Sequence, residues 1–417
     1  MIVTKTIHEV TYLRFREYLD LTYSQNIKQK VVALSTGYPE PGEFPLPKVI
    51  LSKLAVEING VEKPRQGYGW DAGSQPLREI LIELENSLHS TNYSIRNICM
   101  VAGATYGFNR ILEAIFEGEN KVKKLLVVGP TYYRMLNRVE RLAQIDSVIG
   151  SEKKQFQITA EELIDSIDAN TKAIFIANPT NPTYLYYSED FFEKIIPFLE
   201  EKRIYLIIDE SGDAFYQGEG DKRLKRFPAG INNKYVIRIV TASKKYLLAE
   251  YRIGYVLADE TFMGDKTKGF IKIIGDDIGN APLAVNEAWV EIALHELAVL
   301  RNEKCSCQQC DFITQMEENN RRMLYLRNLS MDHLLKSPSV ENIIIPEANF
   351  NITFKINNYK YKSDIALFKA LLKDSSISLL PCSGLGLDES LMYFRLTYGI
   401  NEEVLNYGLD RLKKFLE

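Results

Sequence analysis

A chain of 417 residues can bury sizeable cores, and its length suits one large domain with a smaller one beside it. Hydrophobic residues make up 46% and charged residues 25%, the mixture of an ordinary globular protein, and the formal net charge of −4 gives no basis for nucleic acid or an anionic membrane as partner. No apolar run approaches the roughly 20 residues that span a bilayer, and the opening MIVTKTIHEVTYLRFREYLD lacks the apolar centre of a secretory signal, so the expected compartment is the cytoplasm.

Five cysteines in a chain this long are not a disulfide framework. Cys305, Cys307 and Cys310 form a C-x-C-x-x-C cluster that could offer three thiolates to zinc or an iron–sulfur centre. No fourth ligand stands nearby, and the flanking stretches are patterned as helix, so reduced surface or packing cysteines are the simpler reading.

In chain order, the first 35 residues mix helical patterning with aromatics, and LSTGYPEPGEFPLPKVI then breaks helix with glycine and proline. In YGWDAGSQPLREILIELENSL, Leu77, Ile80, Leu81, Leu84 and Leu88 recur at helical spacing after a glycine-containing turn. ICMVAGATYGFNRILEAIFE reads as strand, small-residue turn and amphipathic helix. That is anion-binding chemistry: Gly103, Ala104 and Thr105 leave backbone N–H groups and the positive end of a helix dipole facing one point. KLLVVGPTYYRM supplies a buried strand over Leu125 to Val128, with Pro130, Tyr132 and Tyr133 after it. A helix around Ala160 to Ile167 precedes AIFIANPTNPTYLYY, a strand followed by a turn with prolines at 179 and 182. RIYLIIDESGD is a near-continuous apolar run ending in Asp209, the pattern of a strand covered on both faces. IRIVTASKKYLLAEYRIGYV carries a β-branched run into Thr241, Ala242, Ser243 and two lysines, with Arg252 eight residues after Lys244. A long helix follows, then the strand-like NIIIPEANFNITFKI, a helix over Ile365 to Leu372, and ISLLPCSGLGLDESLMYFRLTYG. There is no internal repeat or low-complexity segment. The alternation of strands and helices predicts an α/β domain with a mainly parallel sheet and ligands at the carboxyl ends of its strands.

From Leu34 to Thr397 the order of these segments resembles the class I and II aminotransferases, the fold type I pyridoxal-phosphate enzymes related to aspartate aminotransferase. The matching pieces are Leu34-x-x-Gly37-x-Pro39; Tyr68, Gly73 and Leu77-Arg78; Asn178-Pro179-x-Asn181-Pro182-Thr183; Asp209; Ser243-Lys244 with Arg252-x-Gly254; and the Pro-x-Ser-Gly turn before Arg395-Leu396-Thr397. The resemblance implies the aspartate aminotransferase fold: a mainly parallel seven-stranded sheet sandwiched by helices, plus a smaller α+β domain from both chain ends. It divides the chain at 1–49 (arm and part of the small domain), 50–293 (large cofactor domain) and 294–417 (small domain).

The same resemblance assigns roles. Lys244 stands where relatives bind the aldehyde of pyridoxal 5'-phosphate and move the substrate's α-proton. Amines condense only while unprotonated, and exposed lysine keeps its proton to about pH 10.4, so such a site needs burial and nearby positive charge, which Arg252 offers. The Gly103-Ala104-Thr105 turn with Thr241, Ser243 and Arg252 would hold the phosphate. Tyr132, with Tyr133 as the alternative, would stack on the ring, Asp209 would keep its nitrogen protonated, and Asn181 would donate to its phenolic oxygen. Gly37 and Tyr38 would lie over cofactor and substrate, and Arg395 would fork onto the substrate's α-carboxylate. In relatives the tyrosine matching Tyr68 crosses a dimer interface to the other subunit's cofactor phosphate, which implies a homodimer with shared active sites.

Two positions depart from the pattern. Tyr184 replaces the glycine that closes the Asn-Pro-x-Asn-Pro-Thr-Gly motif, and Gly212 stands where many relatives carry a tyrosine that bonds the phenolic oxygen, with Tyr216 the nearest substitute. The expected activity is amino-group transfer between an L-amino acid and a 2-oxo acid. The alternatives are elimination, decarboxylation or cyclisation on the same scaffold, and a binding or regulatory protein built on a retired enzyme domain.

Overall fold

The computed structural model describes residues 7–28, 31–36, 39–40, 43–45, 71–118, 122–132, 135–136, 139, 141–216, 233–278, 286–301, 312–357 and 360–417. Helix α1 (Ile7–Lys28) precedes the short strand β1 (Val32–Ala33). The helix expected after Gly73 is α2 (Gln75–His89), which buries Leu77, Leu81 and Leu84 and carries Pro76 in its first turn, where a missing N–H costs little. Strand β2 (Ile98–Val101) leads through Gly103 into α3 (Ala104–Phe116). The alternation continues with β3 (Lys124–Gly129), β4 (Gln144–Ile149), α4 (Ala160–Asp165), β5 (Thr171–Ala177), α5 (Glu189–Lys202) and β6 (Tyr205–Asp209). Then come β7 (Val236–Thr241), the single-turn helix α6 (Ala242–Lys245) and β8 (Gly254–Leu257).

Strands β2 to β8 assemble as one seven-stranded sheet in the order β2-β8-β7-β6-β5-β3-β4. Only β8 is antiparallel to its neighbours. The apolar runs have a simple cause, since both faces are covered. Phe108 and Ile111 of α3 pack with Val127, Phe175, Ile207 and Ile239 on one face, while Phe191, Phe192 and Ile195 of α5 pack with Leu126, Ile174, Ile176 and Ile208 on the other.

Helices α7 (Glu260–Met263), α8 (Gly269–Ile278), α9 (Asn286–Leu300) and α10 (Phe312–Leu335) connect this sheet to a second unit. There β9 (Val340–Ile344), β10 (Asn351–Ile356), the helix α11 (Asp364–Ser375), β11 (Ile377–Ser378), β12 (Leu380–Pro381), β13 (Tyr393–Thr397) and α12 (Glu402–Leu416) follow one another. The order β12-β13-β10-β9 makes an antiparallel sheet, and β1 pairs in parallel with β11. Phe15, Tyr18 and Leu34 share a core with Phe354, Phe368, Phe394 and Leu409, so both chain ends build the smaller unit, as expected.

Two buried polar ties set the frame. The Arg238 guanidinium, 1% exposed, donates from Nε and Nη2 to the Glu210 carboxylate (2.5 and 2.9 Å) and from Nη1 to Glu85 Oε2 (2.7 Å). Tyr255 Oη donates to the other Glu85 oxygen at 2.5 Å. At the second tie, Asp364 accepts from the Ser383 N–H (2.9 Å) and hydroxyl (2.8 Å), fixing the Pro-x-Ser-Gly turn, and burial pushes the Asp364 carboxyl up to about 7.

Arg238→Met strands two buried carboxylates without their cation and should cost about 3–5 kcal/mol, read as a lower urea midpoint. Asp364 is neutral in the folded protein up to about pH 7, whereas in the unfolded chain it ionises near pH 4. Its contribution is therefore present at low pH and lost as pH rises between those values. Across that window the urea midpoint of the native protein should fall relative to that of Asp364→Asn.

Candidate active site

Register aligns the strand ends into one edge. Ala177 ends β5 opposite Asp209, which ends β6, and Asp209 lies opposite Ile239 on β7. Thr241 ends β7 opposite Gly254, and Gly254 also lies opposite Val101 at the end of β2. Every loop that carries a sequence-predicted residue of the large sheet therefore leaves the same side of it.

At one end of this edge is a cradle. Gly103 caps α3 with φ +81°, in the left-handed region that favours glycine, and a Cβ there would lie 2.5 Å from Arg252 Nη2. Arg252 Nη1 donates to the Ala249 carbonyl at 2.9 Å, which turns the guanidinium toward the helix start. Gly254 has no room for a side chain either, because its Cβ would meet the Val240 carbonyl at 2.7 Å; its closeness to Gly103 and Thr241 joins the two turns. Thr241 Oγ1 donates to the Ile253 carbonyl (3.0 Å), accepts from the Ser243 N–H (3.2 Å) and lies 2.9 Å from Ser243 Oγ. Ala104 is buried beneath the turn and Thr105 is exposed on it. Backbone N–H groups at a helix start, two hydroxyls and a guanidinium against a glycine are the donor set of a phosphate site. A phosphate ester fits it.

The structure separates the two lysines of the doublet. Lys245 Nζ lies 3.3 Å from Glu296 Oε1 on α9, whereas Lys244 Nζ makes no hydrogen bond or ion pair among the described residues. Asp209 is buried at the end of β6, and burial holds its carboxyl above the usual range against the opposing pull of Ser211 and of the Lys244 charge. The Ser211 N–H donates to its Oδ1 at 3.0 Å. No cation hydrogen-bonds this carboxylate among the described residues, and a protonated ring nitrogen would suit it. Tyr132 is half-buried between the two cores, its ring edge-on to Phe15 at 5.7 Å, and the neighbouring Thr131 N–H donates to the Leu385 carbonyl at 2.9 Å.

The Asn178–Tyr184 turn docks beside them. The Asn178 N–H donates to the Asp209 carbonyl at 2.9 Å. Arg395, on β13 and 6% exposed, donates from Nη1 to Asn181 Oδ1 at 3.1 Å and to Tyr184 Oη at 3.4 Å, while its Nε is buried without a partner. Tyr184 has φ +54°, in the left-handed region that favours glycine, and places a phenol beside Arg395. At Gly212 a Cβ would lie 3.1 and 3.2 Å from Pro179 atoms, too close for the tyrosine of relatives without a shift. Tyr216 lies against Tyr186, with ring centroids 6.2 Å apart.

Sequence reasoning missed Asn349 and Asn351, and it named Thr397 only as part of the Arg395-Leu396-Thr397 match. Asn349 Nδ2 donates to the Gly212 carbonyl (2.9 Å), Asn351 Nδ2 donates to Asn349 Oδ1 (2.9 Å) and Tyr184 Oη (3.3 Å), and Thr397 Oγ1 lies 2.7 Å from Asn351 Oδ1. The available signal was an asparagine opening the strand NITFKI. Gly37, Tyr38, Tyr68, Cys305, Cys307 and Cys310 lie outside the described residues. Next to Gly37, the Thr36 carbonyl accepts from Thr397 Oγ1 at 2.8 Å, which ties the proline-rich loop to β13.

Known proteins resemble this chain over nearly its whole length. A probable aspartate/prephenate aminotransferase of Aquifex aeolicus is 27% identical over 395 residues, covering 93% of this chain and 91% of that protein. Among solved structures, an aspartate aminotransferase of Thermotoga maritima superposes with a TM-score of 0.78 at 20% identity, covering 97% of this chain and 99% of the other. An alanine aminotransferase of Pyrococcus furiosus gives 0.79 at 21% identity, with 99% of each chain covered. The profile of the family described as "Aminotransferase class I and II" matches residues 29–412. The chain belongs to the class I and II aminotransferases, a family of pyridoxal-phosphate enzymes of amino-group transfer.

Proposed function

We propose that the protein moves an amino group between an L-amino acid and a 2-oxo acid, with pyridoxal 5'-phosphate bound along the aligned strand ends and Lys244 as its lysine. The observation that carries this reading is that one edge of the large sheet bears the Gly103–Arg252 cradle, the unpaired Lys244 amine and the buried Asp209, with Arg395 of β13 reaching it through Asn181 and keeping Nε open. When bound, the cofactor supplies an aldehyde that takes up the amino group and a ring that draws electrons from the substrate's Cα.

The chain's own residues supply the rest. Gly103, Ala104 and Thr105 with Thr241, Ser243 and Arg252 hold the phosphate. Asp209 keeps a proton on the ring nitrogen, Asn181 donates to the phenolic oxygen, and Tyr132 lies against the ring. Lys244 removes the proton from the substrate's Cα and returns it during transfer, a positioned acid–base role that contributes about 10² to 10⁴ in rate. Arg395 orients the α-carboxylate of either substrate, and a guanidinium suits this because its fork matches two carboxylate oxygens.

We further propose a homodimer in which Tyr68 completes the phosphate site of the other subunit, Gly37 and Tyr38 over the substrate, a cytoplasmic location, and domains at 1–49, 50–293 and 294–417. The Tyr184 phenol beside Arg395 favours keeping a second reading, elimination, decarboxylation or cyclisation at the same site. Mixing the loaded enzyme with single L-amino acids and no acceptor separates the two. Release of the matching 2-oxo acid supports transfer; ammonia, carbon dioxide or a cyclised product supports the second reading.

Borohydride treatment of the loaded native protein should fix the cofactor to Lys244, as read by peptide mass spectrometry, and should fix none in Lys244→Ala. An adduct on Lys245 would sink the assignment. Gly103→Ala must adopt an unfavourable backbone and displace the Arg252 guanidinium. Its affinity for the cofactor, titrated by absorbance, should fall by about tenfold or more.

A further inference from the structure

We infer that Tyr184 is a direct hydrogen-bond donor to the substrate's α-carboxylate, a subsite residue in a position that the family pattern gives to glycine. The inference rests on the reading of Arg395 as the carboxylate-binding group.

The position itself is unusual. At φ +54° a tyrosine is held where glycine would meet no steric cost, and the side chain is nonetheless 1% exposed and packed into the site. The phenolic oxygen is approached by Arg395 Nη1 at 3.4 Å and by Asn351 Nδ2 at 3.3 Å. A guanidinium has no acceptor, so Arg395 can only donate to it.

The amide of Asn351 is constrained in the same way. The Gly212 carbonyl can only accept, so the atom of Asn349 that reaches it at 2.9 Å is Nδ2, and Asn349 Oδ1 therefore faces Asn351. The Asn351 atom 2.9 Å from that oxygen must then be Nδ2, and this is the atom directed at Tyr184. Both neighbours of the phenol oxygen are donors, so neither can receive its proton.

Among the described residues no acceptor is recorded for the Tyr184 O–H, and Arg395 Nε beside it is buried and unpartnered as well. Buried donors left unmade are costly, and both belong to a site that a ligand enters. A carboxylate has two oxygens and about four lone-pair positions, enough to take the guanidinium and the phenol together. Tyr184 thereby adds a neutral donor to the charge of Arg395, and it does so for the amino acid and the 2-oxo acid alike, since both carry the same carboxylate.

The test uses the pyridoxal-phosphate-loaded enzyme and two carboxylates that cannot react, propanoate and 3-phenylpropanoate, titrated by calorimetry. Tyr184→Phe keeps the ring and removes the hydroxyl. It should weaken whichever probe binds the native enzyme by about tenfold, and should raise KM for amino acid and 2-oxo acid with kcat held within about twofold. Tyr184→Gly restores the residue of the pattern and decides the matter if the phenylalanine variant does not fold; it should weaken the probes at least as much. Arg395→Gln separates the two readings. Binding lost in Arg395→Gln but unchanged in the Tyr184 variants would overturn the role of Tyr184 and leave the site intact. Probe binding at native affinity in Arg395→Gln would overturn the carboxylate site, and this inference with it.

Discussion

A guanidinium buried to 1% exposure persists only when it is paired, and Arg238 is paired to carboxylates from two different elements. Glu210 directly follows Asp209 at the end of β6, Arg238 lies three residues before Thr241 on β7, and Glu85 belongs to α2. This contact adds a side-chain tie to the backbone pairing that holds the end carrying Asp209 beside the end leading to Lys244. Buried ion pairs of this kind add little net stability compared with apolar packing. Their value here is geometric, because the carboxylate and the amine must face the same ring.

The opposite wall of the site is also built from buried polar groups. Thr353 Oγ1 donates to the Pro182 carbonyl at 2.7 Å, and the Asn349–Asn351 pair reaches both Gly212 and Tyr184. Two loops of the large sheet are thus stitched to strands of the small one through side chains that would be costly to bury unpaired. Arg395 is carried by β13 between Leu380 and Thr353, so the carboxylate-binding group and the loop that carries Asn181 are set by the same stitches.

Much of this was legible before any coordinates. The apolar runs at 125–128 and 205–209 reflect coverage of both sheet faces, and Gly103 marked a turn where backbone must come close to something charged. The lysine doublet was not resolvable in that way. Glu296, which occupies Lys245 and leaves Lys244 open, lies on a helix far along the chain, and no local spacing reports such a partner. Asn351 is similar, since its meaning depends on Asn349, Thr397 and Tyr184 meeting across two sheets. Tyr184 and Gly212 could be flagged only as departures; that one keeps a left-handed backbone and the other lies against Pro179 follows from packing.

The parallel pairing of β1 with β11 has a consequence for how the chain is made. Val32 and Ala33 lie beside Ile377 and Ser378, and α1 packs against α11 and the turn that follows it. During synthesis from the amino terminus, all seven strands of the large sheet are available once residue 257 has emerged. Helix α1 and β1 emerge before that sheet, yet the side chains they pack against on α11 and β11 follow only more than a hundred residues after it. A segment made before the large sheet is in this sense completed after it.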